Sequence, residues 1–171
     1  MVYIADTATV ANGVITGSDA RVEDYAVVRG YTSLNNEVVV KGYAVVYDVT
    51  LSGTVSVSGN AVVKSGFLKG TSSVSDEAVV RDCTLSGNVH IYGNAKVLYV
   101  VLKGNVHVFG NAVLNCNHLD FRVTLAGSCK FGGNATFKGL KTPEDFIEKY
   151  GEAKVRVVGR EVILTDVWDM G

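Results

Sequence analysis

Histidine and cysteine, the side chains that titrate or react most readily near neutral pH, are few in this chain: three of each among 171 residues. The densest group is Asn115-Cys116-Asn117-His118-Leu119-Asp120-Phe121-Arg122. His118 offers a neutral base at physiological pH, because an unperturbed imidazole titrates near pH ~6.5. Asp120 is close enough in sequence to orient that ring, and Asn115 and Asn117 add donors and acceptors for a ligand. The plainer reading is a surface loop that packs Leu119 and Phe121 on a neighbouring subunit and leaves His118 in solvent.

His90 and His107 form the second group. They hold the same outward position in successive repeats, so their rings should stack at about the strand spacing of ~4.8 Å. Ser56 and Ser73 continue the column on one side and Lys130 on the other. Such a pair can hold a metal or a small ligand; two exposed or interface histidines are the plainer reading, and no metal site is expected. Cys83, Cys116 and Cys129 show no CxxC spacing and leave an odd count, which argues against a disulfide framework or a zinc site. A reducing cytoplasm is the expected compartment. The sequence shows neither a signal peptide nor an apolar run approaching the ~20 residues of a membrane span. A net charge of −1 supplies no basic field for nucleic acid.

These residues are carried on a repeat. Alanine recurs at Ala8, Ala26, Ala44, Ala61, Ala78, Ala95, Ala112 and Ala135, with spacings of 18, 18, 17, 17, 17, 17 and 23. Two residues after each stands Val10, Val28, Val46, Val63, Val80, Val97, Leu114 or Phe137. Two further series have the same in-out-in pattern, exemplified by Val49-Thr50-Leu51 and Val55-Ser56-Val57. Alternation buries the first and third residue of each short strand. Gly53, Gly70, Gly87, Gly104 and Gly127 mark one corner of successive coils, and Gly59, Gly93, Gly110 and Gly133 mark another. Recurrence there is what a positive φ selects. Asn60, Asn94, Asn111 and Asn134 follow the second set and should stack as an amide ladder. The pattern predicts an all-β chain, a single-stranded parallel β-helix of about seven coils over residues 1–140.

In the first coils an aliphatic or β-branched residue stands every six positions, as at Val10, Thr16, Val22, Val28, Leu34, Val40 and Val46. This resembles the hexapeptide-repeat family, and the Gly-Asn-Ala-x-Val units at 59–63, 93–97 and 110–114 (the last with Leu114 in the valine place) look most like bacterial and prophage solenoid proteins. The resemblance implies a left-handed triangular helix, with right-handed solenoids of the bactofilin type as the competitor, and it implies homotrimers. The family's acyltransferases carry a histidine base on a loop extruded from a coil. By that resemblance His118 would act in acyl transfer from a coenzyme A thioester; no other cofactor is expected. The 23-residue coil places six extra residues at the corner bearing His118.

The outward residues of the alanine strands are Thr9, Val27, Val45, Val62, Val79, Lys96, Val113 and Thr136. An apolar stripe at solvent positions marks an interface, so Val27, Val45, Val62, Val79 and Val113 are the expected oligomer contact. The alternative is that the C-terminal segment folds back over them. In that segment, 141–171, Thr142-Pro143-Glu144-Asp145 is a helix start, Gly151 a stop, and residues 154–165 a β-hairpin that caps the last coil. Three functions follow: a non-enzymatic oligomeric scaffold, binding or phage-related structural module, which is favoured; a hexapeptide-repeat acyltransferase using His118; or a nucleotide or small-ligand binder using grooves between subunits.

Overall fold

The computed structural model describes residues 1–81, 84–98, 101–102, 105–115, 122–126, 128–132, 136–137 and 139–171. The chain winds as a three-sided parallel β-solenoid of about six turns. Seven parallel strands build the first face: Thr9–Val10, Val27–Arg29, Val45–Tyr47, Val62–Lys64, Val79–Arg81, Lys96–Leu98 and Val113–Asn115. Seven strands bracket six turns, one fewer than the repeat count suggests. Among the described residues the ladder on this face ends in an isolated bridge between Val113 and Thr136.

Registers reproduce the spacing residue for residue. Thr9 pairs with Val27 and Val27 with Val45, eighteen apart; Val45 pairs with Val62 and Val62 with Val79, seventeen apart. The second and third faces merge into one sheet because Thr50–Val57 and Phe67–Val74 run unbroken around their shared corner. Gly53 and Gly70 make that bend at φ of +103° and +71°. A Cβ on Gly53 would stand 2.6 Å from the Gly70 carbonyl oxygen, so successive coils touch there backbone to backbone. At the shortened corner, Asp48 and Ser65 take the left-handed conformation instead.

Inside, alternation produces columns of identical residue types. Ala26, Ala44, Ala61, Ala78, Ala95 and Ala112 are fully buried beneath the first face, and Leu34, Leu51 and Leu68 beneath the second. Stacking like on like keeps the coil cross-section constant while each strand buries its inward pair.

Helix Pro143–Tyr150 begins as the sequence indicates. Asp145 N–H donates to Thr142 Oγ1 at 3.3 Å, and Asp145 Oδ2 accepts from the Thr142 and Lys141 N–H groups. These backbone donors hold the Asp145 carboxyl below its ordinary range. The hairpin of Val155–Val158 and Glu161–Thr165 follows. It extends the solenoid instead of lying back over the first face: Glu161–Thr165 pairs in parallel with Arg122–Ala126 on the second face, and Trp168–Asp169 with Lys130–Phe131 on the third. The valine stripe is therefore not covered by the C-terminal segment. Phe131, Phe137, Phe146 and Tyr150 close the end with edge-on ring contacts at 5.3–6.5 Å. Solenoid and cap share one hydrophobic core.

Candidate functional site

Of the loop residues expected to do chemistry, Asn117, His118 and Asp120, with Cys116, lie outside the described residues, and Asn115 ends the last full strand of the first face. Two other surfaces carry aligned side-chain columns.

The third face carries the histidine column. Registers align Ser56, Ser73, His90, His107 and Lys130 as expected, and add Trp168 as the final rung. The imidazoles of His90 and His107 are 5.0 Å apart. Ser73 Oγ lies 2.6 Å from His90 Nδ1, and Lys130 Nζ stands 4.7 Å above the Trp168 ring centre. Burial first, then the charges of His90 and Lys130, lowers the affinity of His107 for a proton. Two imidazoles alone make a poor metal site, since stable centres draw on three or four ligands. Among the described residues no group of three or more His, Cys, Asp or Glu side chains converges.

On the first face the predicted stripe is present: Val27, Val45, Val62, Val79 and Val113 point outward and are partly buried by one another, with Lys96 exposed between them. Sequence reading missed what stands beside it. Two residues beyond Val27, Val45, Val62 and Val79 lie Arg29, Tyr47, Lys64 and Arg81, aligned by the same register. Arg29 and Lys64 approach the Tyr47 ring from the coils below and above, 5.6 and 5.5 Å from its centre. Each such contact contributes on the order of 0.5–1 kcal/mol when exposed. Arg29, Val45, Tyr47, Val62 and Lys64 line a shallow concavity of about 370 Å³. Reading the repeat at its second outward position would have revealed this column.

Two residues before each of the five valines and Lys96 runs a third column at the preceding corner: Tyr25, Tyr43, Asn60, Glu77, Asn94 and Asn111. Tyr25 and Tyr43 stack face to face at 5.2 Å and are 56% and 63% exposed. The expected amide ladder forms in two pieces, because Glu77 interrupts it. Asn60 Nδ2 donates to Glu77 Oε1 at 2.6 Å, and Asn94 Nδ2 to Asn111 Oδ1 at 3.2 Å; Asn134 lies outside the described residues.

Among the described residues no helix is long and apolar enough to cross a membrane. Cys129 is a buried thiol whose Sγ lies 3.6 Å from the Leu164 carbonyl oxygen. No family model and no curated protein matches the chain. Among solved structures, the UDP-N-acetylglucosamine acyltransferase of Francisella novicida is similar at 14% identity and a TM-score of 0.43, over 77% of this chain and 63% of that one. The chain thus spans less than two thirds of that protein's length, and at such values the likeness assigns it neither activity nor site residues.

Proposed function

We propose that this protein is a non-enzymatic β-solenoid, a scaffold or binding module of the kind that the Gly-Asn-Ala-x-Val resemblance associates with phage-related structures, and that it docks through its first face. The observation that carries this reading is the outward valine column on a flat sheet face that the C-terminal cap leaves open. Apolar surface in water is worth about 25 cal/mol per Å² once covered, so a row of partly exposed valines favours association. Val62→Asp alters only an outward position and leaves the inward alanine and valine columns intact. It should abolish self-association or partner capture with an unchanged circular dichroism melt. Unchanged mass and unchanged binding in that variant would overturn the reading.

A second reading rests on the six-residue insertion. His118, oriented by Asp120, would take the proton from an acceptor hydroxyl or amine as that atom attacks an acyl thioester of coenzyme A, which leaves as the thiol. Turnover of an acyl-coenzyme A that disappears in His118→Ala, with the fold retained, would establish it in place of the first.

A further inference from the structure

The geometry points to a second copy of this chain as the occupant of the first face, in a parallel face-to-face dimer whose two-fold axis runs along the solenoid and passes through the valine column. This rests on the reading that the first face docks, and names its partner and arrangement.

Two unlike columns flank the valines. One side carries the cationic column of Arg29, Lys64 and Arg81 around Tyr47; the other carries Tyr25, Tyr43, Asn60 and Glu77. A two-fold axis parallel to the solenoid keeps every coil at its own height and exchanges left for right. Each coil then meets its own equivalent. Tyr25 faces Arg29 of the second copy, Tyr43 faces Tyr47, Asn60 faces Lys64, and Glu77 faces Arg81. All four pairings are favourable: a cation over a ring, two aromatics, an amide oxygen with an ammonium, and an ion pair. The concavity between Arg29, Tyr47 and Lys64 lies where the exposed Tyr43 ring arrives.

The other face-to-face arrangement sets its axis along the strands. It brings cations against cations and reverses the coil order, which like-charge repulsion disfavours. Among the described residues, Arg29, Lys64, Arg81 and Lys96 enter no ion pair within the chain, so their charges remain available to a partner. A net charge of −1 puts little general repulsion between copies.

Size fits a modest dimer. Six coil spacings of ~4.8 Å and five residues of ~3.3 Å give a footprint of roughly 500 Å² per protomer before side-chain relief. Stable interfaces bury about 800 Å² per partner, so this one should dissociate on dilution. One coil opposes it: Lys96 sits on the axis and meets Lys96 of the second copy, and Asn94 beside it faces the apolar Leu98.

That conflict makes the arrangement testable by sedimentation of the whole chain across a concentration series. The wild type should be a dimer in equilibrium with monomer. Arg81→Glu and Glu77→Arg should each weaken it about tenfold or more, and the double variant should restore it, because both copies then present the swapped pair. Lys96→Val should tighten it, by removing the like-charge contact. A trimer, or a dimer that the double variant fails to rescue, would overturn the arrangement, while loss of assembly in Val62→Asp would keep the docking face. A monomer that captures another protein through Val62 would overturn the self-partner alone. A monomer indifferent to Val62→Asp would overturn both.

Discussion

His90 and His107 stack one coil apart, ring centres 5.0 Å and planes tilted by 35°, with Ser73 Oγ 2.6 Å from His90 Nδ1. The column repeats a cationic-capable side chain at successive coils, and His107 bears the consequence. Burial, His90 and Lys130 all lower its pKa from the ordinary value. The unfolded chain therefore takes up this proton before the folded one does, and stability is complete above pH ~6.5. As pH falls from there through the lowered value, that stability is lost. Thermal midpoints should drop between pH ~7 and the acid range, and His107→Gln should flatten the slope. An imidazole NMR titration that places His107 at or above ~6.5 would contradict this account.

Gly53→Ala and Gly13→Ala separate backbone conformation from close approach. Both glycines have positive φ, +103° and +92°. A Cβ at Gly53 meets the Gly70 backbone at 2.6 Å, whereas at Gly13 nothing lies within 4 Å. Each variant should lose about 1–2 kcal/mol from the conformational strain. Gly53→Ala should lose clearly more, since two coils must separate. Urea midpoints of the two proteins, at equal slope, measure the difference.

Leu68 and Phe67 are adjacent in sequence and opposite in environment. Leu68 is fully buried between the Leu51 and Leu85 rungs, and Phe67 is 52% exposed on the outer surface. Leu68→Ala should cost about 2–5 kcal/mol through lost burial and a cavity that the stacked coils cannot collapse. Phe67→Ala should stay within about 0.5–1 kcal/mol of wild type. Equal losses on chemical denaturation would show that the alternation is misassigned.

At the capped end, the Tyr150 hydroxyl donates to Asp169 Oδ2 at 2.9 Å, and Lys149 Nζ lies 2.9 Å from the same oxygen. Burial and the neighbouring carboxylate push the Tyr150 phenol up, so it stays a donor. For Asp169 burial opposes ionisation, yet bonds from Lys149, the Gly171 N–H and Tyr150 prevail and lower its pKa. A lowered carboxyl contributes stability above its ordinary value of ~3.9, which is lost as pH falls through the folded value. Asp169→Asn should lower the melting temperature near neutral pH, with the gap to wild type narrowing only as pH falls below ~3.9 and through the lowered folded value. Tyr150→Phe should have the smaller effect, because the Lys149 pair remains.

Much of this was legible in the chain itself. Eighteen- and seventeen-residue spacings predicted every register from Thr9 to Val113, and Thr142-Pro143-Glu144-Asp145 predicted the helix start. The valine stripe was legible because Val27, Val45, Val62, Val79 and Val113 interrupt an expected polar series. Less visible were the cations around Tyr47 and the Glu77 rung among the asparagines. Reading one column of a repeat at a time hides what the adjoining column contributes.

By itself the sequence determined which residues face inward and how far apart coils stack. Both follow from the two-residue alternation of an extended strand and from glycines that turn it, which are local properties. Only the tertiary structure decided which edge each strand joins. Glu161–Thr165 alternates like any other strand, and nothing local distinguishes a hairpin that covers the valine face from one that adds a rung to the second face. The last coil settled it: its unpaired backbone edge and exposed apolar end are satisfied together when the hairpin extends the ladder, and that leaves the first face open to a partner.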